Sequence, residues 1–274
     1  MYIIKPSMKS YDDYLHFKWI NKMTTSSQAL QDKQTDAMHS KKIFIAGGNS
    51  GMGEAIALMA AARGAKVAIA GRSKEKLNAV ALKLGKNLLA TYSLDLSNAD
   101  EVQRALSEHG PYDYIITTAA QLTFKPFPEL TDDEINAMLA SKFWGPINLA
   151  RAAVTQLKQD GSLLFFSGAA AYRPAIGTSM VGALNLSLES LAQSLALELK
   201  PRRVNVISPG LVDSPTWAGM NDDDREALFA ATAAALPVGR IGQVDDLANA
   251  ALAILENGFI TGSVMHVDGG ARIA

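Results

Sequence analysis

From Lys41 onward, short apolar runs and helical patterns take turns, and nothing else in the chain constrains its fold as much. Lys42–Ala46, Lys66–Ala70, Leu88–Tyr92, Tyr112–Thr117, Ser162–Ser167, Arg203–Ser208 and Ser263–Val267 are brief and rich in Val, Ile, Leu and Phe. Between them, Met52–Arg63, Lys74–Leu84, Ala99–Glu108, Asp132–Lys158, Thr178–Lys200 and Val244–Glu256 carry helical patterns. Strands buried on both faces read as continuous apolar runs, not as polar–apolar alternation. Repeated βα units of this length predict a doubly wound parallel sheet, Rossmann-like, with about seven strands and helices on both faces. No internal repeat or second-domain boundary interrupts the pattern. Residues 41–274 are therefore expected to form one domain, and 274 residues suit a single large core.

Residues 1–40 have a different texture. Ser10 with Asp13 three positions later is a capping pattern, and Tyr11, Tyr14, Leu15 and Trp19 recur at helical spacing. This predicts a short amphipathic helix in an N-terminal arm. Such a helix is too short to stand alone in water and needs a surface to dock on.

Composition removes whole classes of function. The net charge of −1 offers no attraction to nucleic acid or an anionic membrane. With no cysteine, disulfides, thiol catalysis and thiolate metal sites are all excluded. The four histidines, at 16, 39, 109 and 266, have no ligand spacing, so no metal is expected. No apolar run is long enough to span a bilayer, and Met1–Pro6 does not open a secretory signal, so a cytoplasmic location is expected.

The chemistry begins at the first strand. Ile43–Ala46 runs into Gly47-Gly-Asn-Ser-Gly51-Met-Gly53 and then a helix. Glycine permits a tight turn and lets the backbone approach a pyrophosphate, while the helix N-terminus offers free N–H groups to the anion. Gly47, Asn49, Ser50, Gly51, Met52 and Gly53 are the candidate contacts. The second strand ends in Gly71-Arg72-Ser73. No acid stands there to take a ribose 2′-OH, whereas Arg72, 19 residues after Gly53, suits a 2′-phosphate. NADP(H) is the cofactor this predicts.

The spacing Gly47-x-x-x-Gly51-x-Gly53 resembles that of the short-chain dehydrogenase/reductase family, and the resemblance extends to the C-terminus. Ser93-Leu-Asp95-Leu96 resembles the family's adenine-binding Asp motif. Thr117-Thr-Ala119-Ala stands where the family has Asn-Asn-Ala-Gly. Val204-Asn-Val-Ile-Ser-Pro209-Gly210-Leu-Val212 is similar to the segment that flanks the nicotinamide, and Gly239–Gln243 and Ile260–Gly270 match the C-terminal signatures. The resemblance implies that Asp95, Leu96, Ala119, Pro209, Gly210 and Val212 also touch the cofactor. It implies a mobile substrate lid at about 213–237, opened by Asp222–Asp224 at a helix N-terminus, and a homo-oligomer, tetramer or dimer, built on the two long helices.

The family's proton chemistry uses Asn, Ser and Tyr-x-x-x-Lys. On family spacing these places fall on Lys142, Gly168, Val181 and Asn185. All four are substituted, and no Tyr lies between 178 and 200 to restore the motif. Asn and Lys are exchanged between the two helices. Lys142 therefore either replaces the missing ammonium, with a pKa lowered in a dry pocket, or is a solvent-exposed helix lysine. Lys142, Ser167, Tyr172 and Asn185 are the candidate catalytic residues. Three functions remain open: an NADP(H)-dependent oxidoreductase of an unidentified small carbonyl or alcohol with a non-standard centre, a catalytically silent NADP(H)-binding sensor or scaffold, and a non-redox isomerase or lyase.

Overall fold

The structure, a computed structural model, describes residues 37–274; the arm helix expected over 10–23 lies outside them. Seven parallel strands form one sheet: β1 (Lys42–Ala46), β2 (Lys66–Gly71), β3 (Leu88–Ser93), β4 (Tyr112–Thr117), β5 (Leu157–Phe166), β6 (Arg203–Pro209) and, after a separate two-strand ribbon of β7 (Val212–Asp213) and β8 (Gly242–Gln243), β9 (Val264–Val267). The order across the sheet is β3-β2-β1-β4-β5-β6-β9. The winding reverses between β1 and β4, and an open sheet of this kind leaves a crevice at the carboxyl ends of the strands there.

The continuous apolar runs work as expected because each strand feeds two cores by alternation. Ile43, Ile45, Val67, Ile69 and Ile116 point to one face. There they meet α1 (Gly51–Ala62), α2 (Lys74–Leu84) and α8 (Val244–Glu256). Phe44, Ala46, Ala68, Ala70 and Ile115 point to the other, against α3 (Ala99–His109), α5 (Gly145–Gln156) and α6 (Ser179–Glu198). The α1–α8 contact is close because its buried residues are small: Ala57, Ala60 and Ala61 on one helix, Ala248 and Ala251 on the other.

Two boundaries differ from the sequence expectation. The helix expected over 132–158 is three pieces: α4 (Asp132–Leu139), a π-helical turn (Ala140–Trp144) and α5. A π turn adds one residue to the helical ladder and swings side chains to new bearings, often at functional sites. Here it carries Lys142 inward. The strand after it starts at Leu157, not Ser162, so helix α5 gives way to strand directly at Gln156. Helix α7 (Asp222–Ala235) opens with Asp222–Asp224 as expected, with Asn221 as the N-cap accepting from the Asp224 N–H at 2.8 Å.

Candidate functional site

The turn after β1 is a cradle without side chains. Gly47 and Gly51 have φ of +86° and +55°, the left-handed region. A Cβ on Gly47 would lie 2.6 Å from the Ala119 nitrogen. One on Gly53 would overlap the Gly47 carbonyl and sit 2.6 Å from Thr118 Oγ1. Glycine is therefore required by backbone collision as well as by φ. Ser50 is the N-cap of α1, yet its hydroxyl accepts no capping hydrogen bond. The first N–H groups of α1 stay free for an anion.

The rest of the expected cofactor residues surround this cradle. Asn49 packs on the tip of β2, where a Cβ on Gly71 would meet its amide at 2.6 Å. Arg72 is exposed and donates from Nη1 to Gln121 Oε1 at 2.8 Å, which holds the guanidinium over the β2 tip. The Asp95 carboxylate accepts from the Ser97 N–H and hydroxyl, both at 2.8 Å, and Leu96 is buried beside it. Asn148 fixes that loop from α5 by donating to the Leu96 and Ser97 carbonyls at 3.0 Å each, a positioning role the sequence did not flag. Met52 packs on the core beneath the turn. Pro209 closes β6, a Cβ on Gly210 would lie 2.8 Å from Asp268 Cα, and Val212 is buried in the ribbon with Gly242. Pro215 sits over Gly51, where an added Cβ would meet its ring at 3.2 Å. Next to it the Trp217 ring stacks on Phe124, centroids 5.6 Å apart. These residues fit a dinucleotide in their chemistry: a turn that no Cβ can enter, free helix N–H groups for an anion, and the Arg72 cation at the β2 tip.

A second cluster lies under the tip of β5. Lys142 is only 5% exposed, so it is not a solvent-facing helix lysine. Its ammonium donates to the Phe166 carbonyl at 2.7 Å and the Ser167 carbonyl at 3.2 Å. Burial lowers its pKa to about 8, against a weaker upward pull from Glu189. Ser167 Oγ donates to Glu189 Oε1 at 2.6 Å, and the Tyr172 hydroxyl donates to Glu189 Oε2. Burial, then the bond to Glu189, push the Tyr172 phenol up to about 12. The Tyr172 ring stands edge-on to His266, centroids 4.8 Å apart. Asn185 Nδ2 donates to the Gly168 carbonyl at 3.2 Å, while its Oδ1 is buried with no partner.

The structure thus links Ser167 and Tyr172 by hydrogen bonds through Glu189, ties Lys142 to the same strand tip through backbone carbonyls, and seats Asn185 against Gly168. Glu189, which joins Ser167 to Tyr172, was missed. A signal existed: Glu189 is one turn after Asn185, on the face that also carries Leu184, Leu188 and Ala192. An acid on an apolar helix face is the kind of break that marks a site. Val181 lies elsewhere, 3% exposed in a small apolar cluster with Met138 and Leu184.

Comparison with known proteins agrees with this architecture. The family model described as enoyl-(acyl carrier protein) reductase matches residues 46–272. The chain belongs to the short-chain dehydrogenase/reductase family. It is 29% identical over 241 residues to carbonyl reductase family member 4 of Xenopus tropicalis, covering 85% of this chain and 98% of that one. It is 29% identical over 248 residues to short-chain dehydrogenase/reductase ATR9 of Stachybotrys chlorohalonatus, covering 84% and 96%. Among solved structures, a small-chain dehydrogenase in complex with NADPH superposes with a TM-score of 0.72 at 29% identity, over 86% of this chain and all of that one. A short-chain dehydrogenase/reductase of Brucella melitensis does so with a TM-score of 0.80 at 28% identity, over 86% and 98%. Among the described residues no helix is long and apolar enough to cross a membrane, and no group of His, Cys, Asp or Glu could hold a metal ion.

Proposed function

We propose that the protein is an NADP(H)-dependent oxidoreductase acting on a small carbonyl or alcohol through a non-standard centre. The observation that carries this reading is the glycine cradle with Arg72, and no acid, at the tip of β2. The NADPH-bound structural relative and the carbonyl reductase relative support it. The bound nicotinamide would supply the hydride. The chain supplies everything else. Arg72 releases Gln121 to pair the 2′-phosphate. The unpartnered Asn185 Oδ1 is a ready acceptor for a ribose hydroxyl. Lys142 holds the β5 tip by its two carbonyls. Tyr172 is the exposed hydroxyl available to exchange a proton, and the buried Ser167 hydroxyl braces it through Glu189. The segment at about 213–237, anchored by the Trp217 Nε1 bond to the Val212 carbonyl at 3.0 Å, serves as the lid. Residues 41–274 act as one domain, and Met38, fully buried, adds to its core from just before the first strand.

We further propose that the working form is a homo-oligomer, a tetramer or a dimer. Leu186 and Leu197 on the outer face of α6 are 47% and 76% exposed, and Trp144 at the end of the π turn and Val154 on α5 are each 47% exposed. A catalytically silent NADP(H)-binding protein is the second reading, favoured by the apolar surroundings of Val181.

Titration of the protein with NADPH and with NADH, followed by a screen of carbonyl compounds for NADPH oxidation, tests both readings. NADPH should bind more tightly, and Arg72→Ala should weaken it by on the order of 10- to 100-fold through loss of a charge-assisted pair. Equal dissociation constants for the two cofactors would refute the cofactor assignment. Tight NADPH binding with no carbonyl turned over would favour the silent reading.

A further inference from the structure

A buried carboxylate is expensive, and Glu189 is placed where a hydrophobe would cost nothing. It is 4% exposed and shares its helix face with Leu184, Leu188 and Ala192. Its two oxygens accept one hydroxyl each, from Ser167 and Tyr172. No lysine, arginine or histidine forms an ion pair with it among the described residues. A buried charge without a close counter-ion destabilises a fold, and a well-packed apolar residue in its place is often neutral or better. A carboxylate kept under those conditions points to a task other than stability.

The contacts around Glu189 lead to the protein surface. The Ser167 hydroxyl, the Glu189 carboxylate and the Tyr172 hydroxyl form one run of hydrogen bonds, and beside it the Lys142 ammonium donates separately to the Ser167 backbone carbonyl. Lys142, Ser167 and Glu189 are buried, whereas Tyr172 is 38% exposed. Tyr172 lies between β5 and α6 at the carboxyl edge of the sheet, where doubly wound folds bind their ligands. It is the one member of this chain of groups that an incoming molecule can meet. As the carboxylate draws the phenol proton inward, the oxygen's lone pairs are left facing outward.

We propose that Glu189 is a positioning residue that aims the Tyr172 hydroxyl and takes or returns its proton during alcohol–carbonyl interconversion. This rests on the oxidoreductase reading above. In oxidation, the substrate O–H proton passes to the Tyr172 oxygen while the Tyr172 proton passes to the Glu189 carboxylate. The hydrogen on the carbinol carbon leaves with its electron pair to the oxidised nicotinamide cofactor, and the C=O bond forms. In reduction every transfer reverses, starting from protonated Glu189 and reduced cofactor. The titratable and charged groups facing the pair are Lys142 from the π turn, His266 from β9 and Arg272 from the C-terminal segment. Burial and the Glu189 bond already hold the phenol proton tightly, as its rise to about 12 shows.

The test uses the full-length protein with Glu189→Gln, Glu189→Asp and Tyr172→Phe variants. The first readout is the ultraviolet difference absorbance of the Tyr172 phenolate, isolated by subtracting Tyr172→Phe. Glu189→Gln should ionise Tyr172 at lower pH than the native chain does, and Glu189→Asp should not. The second is the NADPH dissociation constant, which should not change in either Glu189 variant. The third is steady-state turnover of whichever carbonyl or alcohol the screen supplies. Glu189→Gln should lower kcat by about 10²-fold with KM little changed, and abolish the acid limb of the alcohol-oxidation pH profile. Glu189→Asp should retain that limb. An unchanged Tyr172 titration in Glu189→Gln, or native turnover and pH profile in that variant, overturns the proposal. If NADPH binds but the native chain turns nothing over, the oxidoreductase reading fails and the relay fails with it. The phenolate titration then still shows whether Glu189 holds the phenol. Should Glu189→Gln not fold, loss of the limb in Tyr172→Phe and its retention in Glu189→Asp support the proposal, and an intact limb in Tyr172→Phe overturns it.

Discussion

Replacing Lys142 by Met should change how stability depends on pH. In the folded chain this amine is enclosed, and burial lowers its pKa from 10.5 to about 8. At ~1.4 kcal/mol per pKa unit, keeping the ammonium charged in the fold costs about 3 kcal/mol relative to the unfolded chain. The sign follows from proton counts. Between pH 8 and 10.5 the unfolded chain binds more protons at this site than the folded one, so stability rises with pH across that window. Below pH 8 both states are protonated and the whole cost is present. Met fills the space of the butyl stem but carries no proton, so the variant lacks this contribution. It also leaves the Phe166 and Ser167 carbonyls without their donor, at about 1–3 kcal/mol each. Near pH 7 the charge relief and the lost bonds offset one another, and the variant should lie within a few kcal/mol of the native chain. At pH 10 the relief is gone and the loss remains. Urea denaturation of both proteins at steps from pH 7 to 10.5 measures the difference directly, and tyrosine ionisation, common to both, cancels. The native chain should gain about 3 kcal/mol on the variant across the range. A stability difference constant with pH would show that Lys142 is not held in the dry, charge-costly position described.

Three further outcomes follow from the same geometry. Gly53→Ala puts a Cβ against the Gly47 backbone and Thr118, so it should destabilise the fold by about 1–3 kcal/mol and abolish dinucleotide binding, as thermal melts and NADPH titration will show. Leu197→Glu together with Leu186→Glu should dissociate the oligomer in sedimentation while leaving the fold intact, since both side chains are exposed in the single chain. A native monomer at micromolar concentration would refute the oligomer. Restoring the family pair as Val181→Tyr, Asn185→Lys should not produce ordinary ketone reduction and should lower the melting temperature. The phenol must enter the cluster of Met138 and Leu184, and Gly168 still offers no hydroxyl to the substrate oxygen.

Much of the fold was legible in the chain because it rests on local chemistry. Apolar runs such as Ile43–Ala46 and Val204–Ile207 declare doubly buried strands, and the glycines from 47 to 53 declare a turn in which neighbouring backbone leaves no room for Cβ. Those signals lie within a few residues of one another, so sequence alone determined the parallel sheet, the glycine turn after β1 and Arg72 at the end of β2. What it did not determine depends on groups far apart in the chain. One extra residue in the π turn points Lys142 inward, and no periodicity announces it, because the turn is stabilised by what it packs against. The bonds from Lys142 to residues 24 and 25 positions away, and from Tyr172 and Ser167 to Glu189, exist only once the π turn and α6 have packed against the tip of β5. A buried charge can be tolerated only where partners from several elements converge on it, and that convergence is a property of the tertiary fold.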